Sequence, residues 1–155
     1  MAQGTGQPTD PQIAHIAYTA GQIDIKAAKQ ALSKSGNKDV KAFADVMVRD
    51  HEAVNKQALA LLDKLKVKPE DNATSKSLAD AASKKREDLS KLSGAAFDKA
   101  YAENEVAYHQ TVNAALEKTL IPDAQNGELK SLLETGLKLF KEHEQHAENL
   151  VSALK

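Results

Sequence analysis

Between Val40 and Leu65, every third or fourth residue belongs to one stripe: Val40, Ala44, Met47, His51, Val54, Ala58, Leu61 and Leu65. Alternating steps of four and three are the pattern of a helix that turns an apolar seam toward its partners in a bundle. One member is polar: His51 sits mid-seam, with Asp50 before it and Glu52 after it. Upstream, Ile13, Ile16, Ala17, Ala20, Ile23, Ala27 and Ala31 predict a first helix, capped by Thr9 or Asp10 with Pro11 at its first position and stopped at Gly36-Asn37. Asp24 lies beside its apolar face. The seam helix begins at Asn37 or Asp39 and ends near Val67, because Pro69 forbids continuation.

A third long helix opens at Ser93-Gly94 and stops at Ile121-Pro122. Phe97, Tyr101, Glu105, Tyr108, Val112 and Ala115 mark one side of it, and Ala102, Glu105, His109, Val112 and Leu116 an overlapping one. The fourth runs from about Glu128 to Leu154 on the stripe Leu129, Leu133, Gly136, Phe140, His143, Ala147, Leu150 and Leu154. Residues 68–76 read as a polar connection and residues 75–92 as a short surface helix, its apolar face interrupted by Lys84, Lys85 and Arg86. Two short links and one long link that can cross the bundle predict an all-α, ferritin-like four-helix bundle, with a short extra helix in the crossover between helices 2 and 3. Residues 1–9 are expected to form a flexible arm and residues 10–155 a single domain.

Composition narrows the function. Apolar residues make up 41% of the 155 and aromatics only 4%, with 21 basic and 22 acidic residues interspersed, a balance that excludes the one-sided basic face of a nucleic-acid binder. No apolar run reaches the roughly 20 residues of a membrane span. Without cysteine there is no disulfide, thiolate metal site or cysteine nucleophile. No Gly-x-Ser-x-Gly elbow, P-loop or dinucleotide fingerprint is present, which leaves nothing for a hydrolase or nucleotide enzyme to use.

The candidate chemistry is a set of polar residues at one height. Counted from the turns, Asp24 and His51 differ by roughly 5 Å in level at 1.5 Å per residue, and Glu105, His109 and His143 also fall near mid-bundle. Glu105 and His109 share a helix face, as do His143 and His146. Imidazole and carboxylate at one depth can bind zinc, copper, iron or manganese, and each ligating imidazole needs an acceptor for its second N–H, which Asp50, Glu105 or Asp24 could supply. The candidate metal set is therefore His51, His109, His143, Glu105, His146 and Asp24. The Glu-x-x-His spacing of di-iron carboxylate bundles is absent, which points to a histidine-rich or mononuclear site and away from an oxygen-using enzyme. Tyr101 and Tyr108 read as core aromatics with hydrogen-bonded hydroxyls.

Three stretches carry a family resemblance: Val40 to His51, containing Met47-Val48-Arg49-Asp50-His51; Leu92 to Tyr101, containing Leu92-Ser93-Gly94 and Phe97-Asp98; and the fourth helix around Glu142-His143. Together they resemble the domain of unknown function 4142 family over about residues 10–154. The resemblance implies a ferritin-like bundle and a bacterial protein exported behind a signal peptide, usually to the periplasm. It places histidines at the positions of His51, His109 and His143 and an acidic residue at Asp24, with His146 less firmly part of the pattern. Two functions follow as expectations. One is a bundle that binds a transition metal at mid-height, for metal buffering or stress protection. The other is a non-catalytic envelope stress or interaction protein with structural histidines. Partner proteins and oligomeric state are open.

Overall fold

A computed structural model describes residues 7–155, and among them there are helices and no strands. Helix α1 spans Asp10–Lys34, α2 Lys38–Leu65, α3 Ala73–Ser90, α4 Gly94–Ala115, α5 Ile121–Asp123 and α6 Gly127–Ala153, with a π-helical turn Leu116–Leu120 joining α4 to α5. The arm expected over residues 1–9 lies outside the described residues as far as residue 6.

The ends follow from local chemistry. Thr9 and Gln12 form a capping box at the start of α1, with Pro11 in the first turn. The Asn37 carboxamide accepts from the backbone N–H groups of Asp39 and Val40, and Asn126 accepts from that of Leu129, so α2 and α6 each begin with satisfied donors. Lys66 ends α2 in the left-handed conformation, at φ 57°. Beyond Ala115 the helical path continues further than the expected stop at Ile121-Pro122. In an unbroken α-helix the Pro122 ring would meet the carbonyl of Lys118, and the π turn just before it widens the path.

Cross-links fix the direction of each helix. The carbonyl of Gln12 accepts from Asn72 and the hydroxyl of Ser75 bonds His15 near the start of α1, while Gln30 donates to the Arg86 carbonyl and Lys34 to that of Ser90 near its end. α3 therefore runs parallel to α1 and returns the chain to the far end. There Ser35 donates to Asp98 at 2.6 Å, and α4 descends antiparallel to α1 and parallel to α2. Asp10 accepts the backbone N–H groups of Gln125 and Asn126, so α6 starts beside the start of α1. α1 packs most extensively on α2, and α4 on α6.

Two apolar clusters line the interior. One joins Ala28, Val40, Phe43, Met47, Phe97, Tyr101 and Leu150; the other joins Ile13, Ile16, Leu116, Leu120, Leu129 and Leu133. On each long helix the polar candidates lie between the two. The α2 stripe turns as it passes this layer: below His51 the buried positions are Asn55, Ala58 and Leu62, while Val54, Leu61 and Leu65 are only half-buried. A straight helix drifts about 20° per heptad from a strict 3.5-residue repeat, and this seam follows the helix.

Gly21 lets α1 and α2 approach closely at that turn. A Cβ there would stand 2.8 Å from Nδ2 of Asn55, whose amide donates to Gln22 Oε1 at 3.1 Å. Gly21→Ala gains about 1 kcal/mol of helix propensity but must displace Asn55. The expected net loss is about 1–2 kcal/mol, read as a fall of about 3–6 °C in thermal midpoint by circular dichroism.

Candidate metal centre

Four helices bring the site together. α1 supplies Asp24, α2 supplies Asp50 and His51, α4 supplies Glu105 and His109 one turn apart, and α6 supplies His143. Asp24, His51, Glu105, His109 and His143 are all at most 3% exposed. The imidazoles form a close triangle, with ring centroids 5.9 Å apart for His51 and His109, 5.1 Å for His51 and His143, and 5.5 Å for His109 and His143. One nitrogen from each of the three lies within 4.8 Å of the other two, and Asp24, Glu105 and His109 form a second such group.

Each ring is held so that a nitrogen is left over. His109 Nδ1 lies 2.9 Å from its own helix's Glu105 carbonyl, and only an N–H can bond there, which leaves Nε2 as a lone pair. His143 Nε2 meets the Asp50 carboxylate at 2.8 Å, which leaves Nδ1. His109 Nε2 and His143 Nδ1 are both buried without a hydrogen-bond partner. His51 stacks on Phe140, with centroids 4.7 Å apart, and its Nε2 approaches Asp24 Oδ2 at 2.9 Å without the alignment of a hydrogen bond. Asp24 Oδ2 is also 3.8 Å from His109 Nε2. Buried polar atoms are ordinarily paired, so such a cluster of unpaired ones makes this layer the candidate functional centre.

The charges are unequal. Burial opposes ionisation of Asp24, but His51 and then His109 outweigh it and hold the carboxyl well below the usual carboxylate range. Burial, reinforced by the Asp24 charge, pushes Glu105 well above that range, which favours its protonated form. Burial pushes His143 down to about 4 against the opposing pull of Asp50, and lowers His109 as well. Both rings are thus neutral, the form that ligates metal. Asp50 is more exposed; burial would raise it, and the bonds from His143 and Arg49 lower it.

Of the six residues expected from sequence, the structure gathers Asp24, His51, Glu105, His109 and His143, and leaves His146 apart. That residue is exposed, its ring edge-on to Phe43 at 4.9 Å, because the buried stripe of α6 steps four residues from His143 to Ala147. Asp50 had been one of three acceptors open for an imidazole, and it is the one His143 uses. The Tyr108 hydroxyl donates to the Ala20 carbonyl at 2.8 Å, but the buried Tyr101 hydroxyl, contrary to expectation, has no partner. Phe140 lay on the α6 stripe, but its stacking on His51 is a cross-helix contact that no single-helix pattern encodes.

The orphaned nitrogens and the anionic Asp24 beside them fit a transition metal, whose tetrahedral ligands at ~2.0–2.1 Å would stand roughly 3.3 Å apart. The family model described as domain of unknown function (DUF4142) matches residues 1–150. No protein with a curated description matches the chain significantly. Among solved structures, one described as "CopM in the Cu(II)-bound form" shares the fold, with a TM-score of 0.72 and 14% sequence identity over 96% of this chain and 99% of that one. Among the described residues, no helix is long and apolar enough to cross a membrane.

Proposed function

This chain belongs to the DUF4142 family, and we propose that it binds one transition-metal ion through His51, His109 and His143, with Asp24 as the anionic fourth donor. The observation that carries this reading is the convergence, from three helices, of three imidazole nitrogens within 4.8 Å inside an otherwise apolar interior. Asp50 and the Glu105 carbonyl orient His143 and His109 by accepting their second N–H groups, as acceptors around metal-ligating histidines do. Glu105 lies next to Asp24 and is pushed toward its protonated form. Among zinc, copper, iron and manganese, copper comes first. A nitrogen-rich site ranks Cu(II) highest, and the CopM structure that shares this fold is a Cu(II)-bound form. The family resemblance extends the reading to a ferritin-like bundle exported to the periplasm, where it buffers metal or protects against metal stress.

A second reading has its own support. His51 and His143 each already have a carboxylate within 2.9 Å, the arrangement of structural histidines in a non-catalytic envelope protein. Equilibrium dialysis with elemental analysis separates the two. Metal binding predicts close to one copper per chain, falling at least tenfold in affinity for His51→Gln and for His109→Gln. Failure of copper, zinc, iron and manganese all to bind the folded native chain would overturn it in favour of structural histidines.

A further inference from the structure

Below the histidine layer the interior is not filled. A cavity of about 650 Å³ lies between α1, α2, the end of α4 and the start of α6. Protein interiors pack to crystal density with few voids larger than a water molecule, whereas pockets for small molecules occupy about 300–1,000 Å³. The room comes from small side chains facing inward, among them Ala17 and Ala20 on α1, Ala58 on α2 and Gly136 on α6. Its deep wall includes Leu133 and Phe140, the latter being the ring that stacks on His51. Exposed Thr74, Thr111 and Thr119 line it on the solvent side, together with Asn72 of the α3 cap.

The lining is uncharged. Among the described residues, no Asp, Glu, Lys, Arg or His borders the cavity, in a chain of which 28% is Asp, Glu, Lys or Arg. An ionised ligand would lose its hydration without gaining a counter-charge, whereas a hydroxyl or carbonyl could bond the threonine and amide groups at the mouth. We infer that this cavity is a binding site for a neutral, largely hydrocarbon small molecule carrying one hydroxyl or carbonyl end, its apolar body against Leu133 and Phe140 and its polar end among the mouth threonines. The site does not depend on the metal centre.

Three ten-carbon probes of different charge test the site on the native chain: 1-decanol, decanoate and decylammonium, followed by calorimetry and by methyl NMR of the leucines. Decanol is expected to bind and to shift the cavity leucines, with both charged probes at least tenfold weaker. Ala17→Leu and Ala58→Leu fill the space from different helices. Each is expected to weaken decanol at least tenfold with the helical circular dichroism retained, and if one fails to fold the other decides. Absence of decanol binding up to its solubility, equal binding of decanoate, or undiminished binding in a folded filler variant would overturn the inference.

Discussion

Asp24→Asn is expected to destabilise the metal-free protein by about 3–5 kcal/mol, whereas Glu105→Gln, also at a fully buried carboxyl, is expected to cost less than about 1 kcal/mol. The two residues differ in protonation. Asp24 is ionised and lies 2.9 Å from His51 and 3.8 Å from His109, so its charge is what balances the imidazole dipoles and any proton they carry. An amide of the same shape cannot replace that charge, and His51 is left buried without its partner. Burial and the Asp24 charge push Glu105 up toward its neutral form, and Gln is a near-isostere of a protonated Glu. Thermal melts followed by circular dichroism should put the Asp24 variant about 10 °C below the native chain and the Glu105 variant within about 3 °C of it. Similar losses in both would show that the two carboxyls share one state, and the charge assignment would be wrong.

That contrast bears on how far the sequence was legible. The apolar stripes of α1, α2, α4 and α6 located the helices because each buries one face, and a buried face must repeat with the helical period. The same counting put Asp24, His51, Glu105, His109 and His143 at one height. It could not say which neighbour each side chain would choose. Three acidic residues stood near enough to accept from an imidazole, and the choice of Asp50 by His143 depends on how α2 and α6 cross. His146 shares a helix face with His143 by spacing alone, yet the stripe's next buried place fell to Ala147. Val54 and Leu61 obeyed the seven-residue repeat, but the helix keeps 3.6 residues per turn and buried Asn55 and Leu62 instead. The cavity left no mark at all, because alanines that pack tightly and alanines that leave room read alike.

Acid is expected to withdraw the buried imidazoles' contribution to the stability of the metal-free protein well above the range where carboxylates titrate. His143 has its pKa pushed down to about 4, and His109 is lowered as well, so between about pH 6.5 and 4 the unfolded chain takes up protons that the folded one refuses. The imidazole contribution is then complete above about pH 6.5 and falls as the pH drops through that window, His143 alone accounting for roughly 3 kcal/mol by pH 4. Asp24, shifted the other way relative to its charge, holds its contribution above the ordinary carboxylate value and loses it only at lower pH still. Glu105 acts in reverse: its contribution is complete below the ordinary carboxylate value and declines as pH rises from there through its raised value, so it opposes the imidazole slope across the same window. Urea unfolding at pH 7.5, 6, 5 and 4 should show the native chain losing more stability on acidification than His143→Gln does, by roughly 3 kcal/mol at pH 4, because the variant lacks the proton-binding group. The same depression keeps His143 neutral and able to ligate below pH 6, where exposed histidines protonate, and favours the neutral form of His109, so copper at saturating concentration should still raise the midpoint at pH 5.5. A pH dependence that His143→Gln leaves unchanged would mean that this imidazole is reached by water and that the dry, neutral layer does not exist.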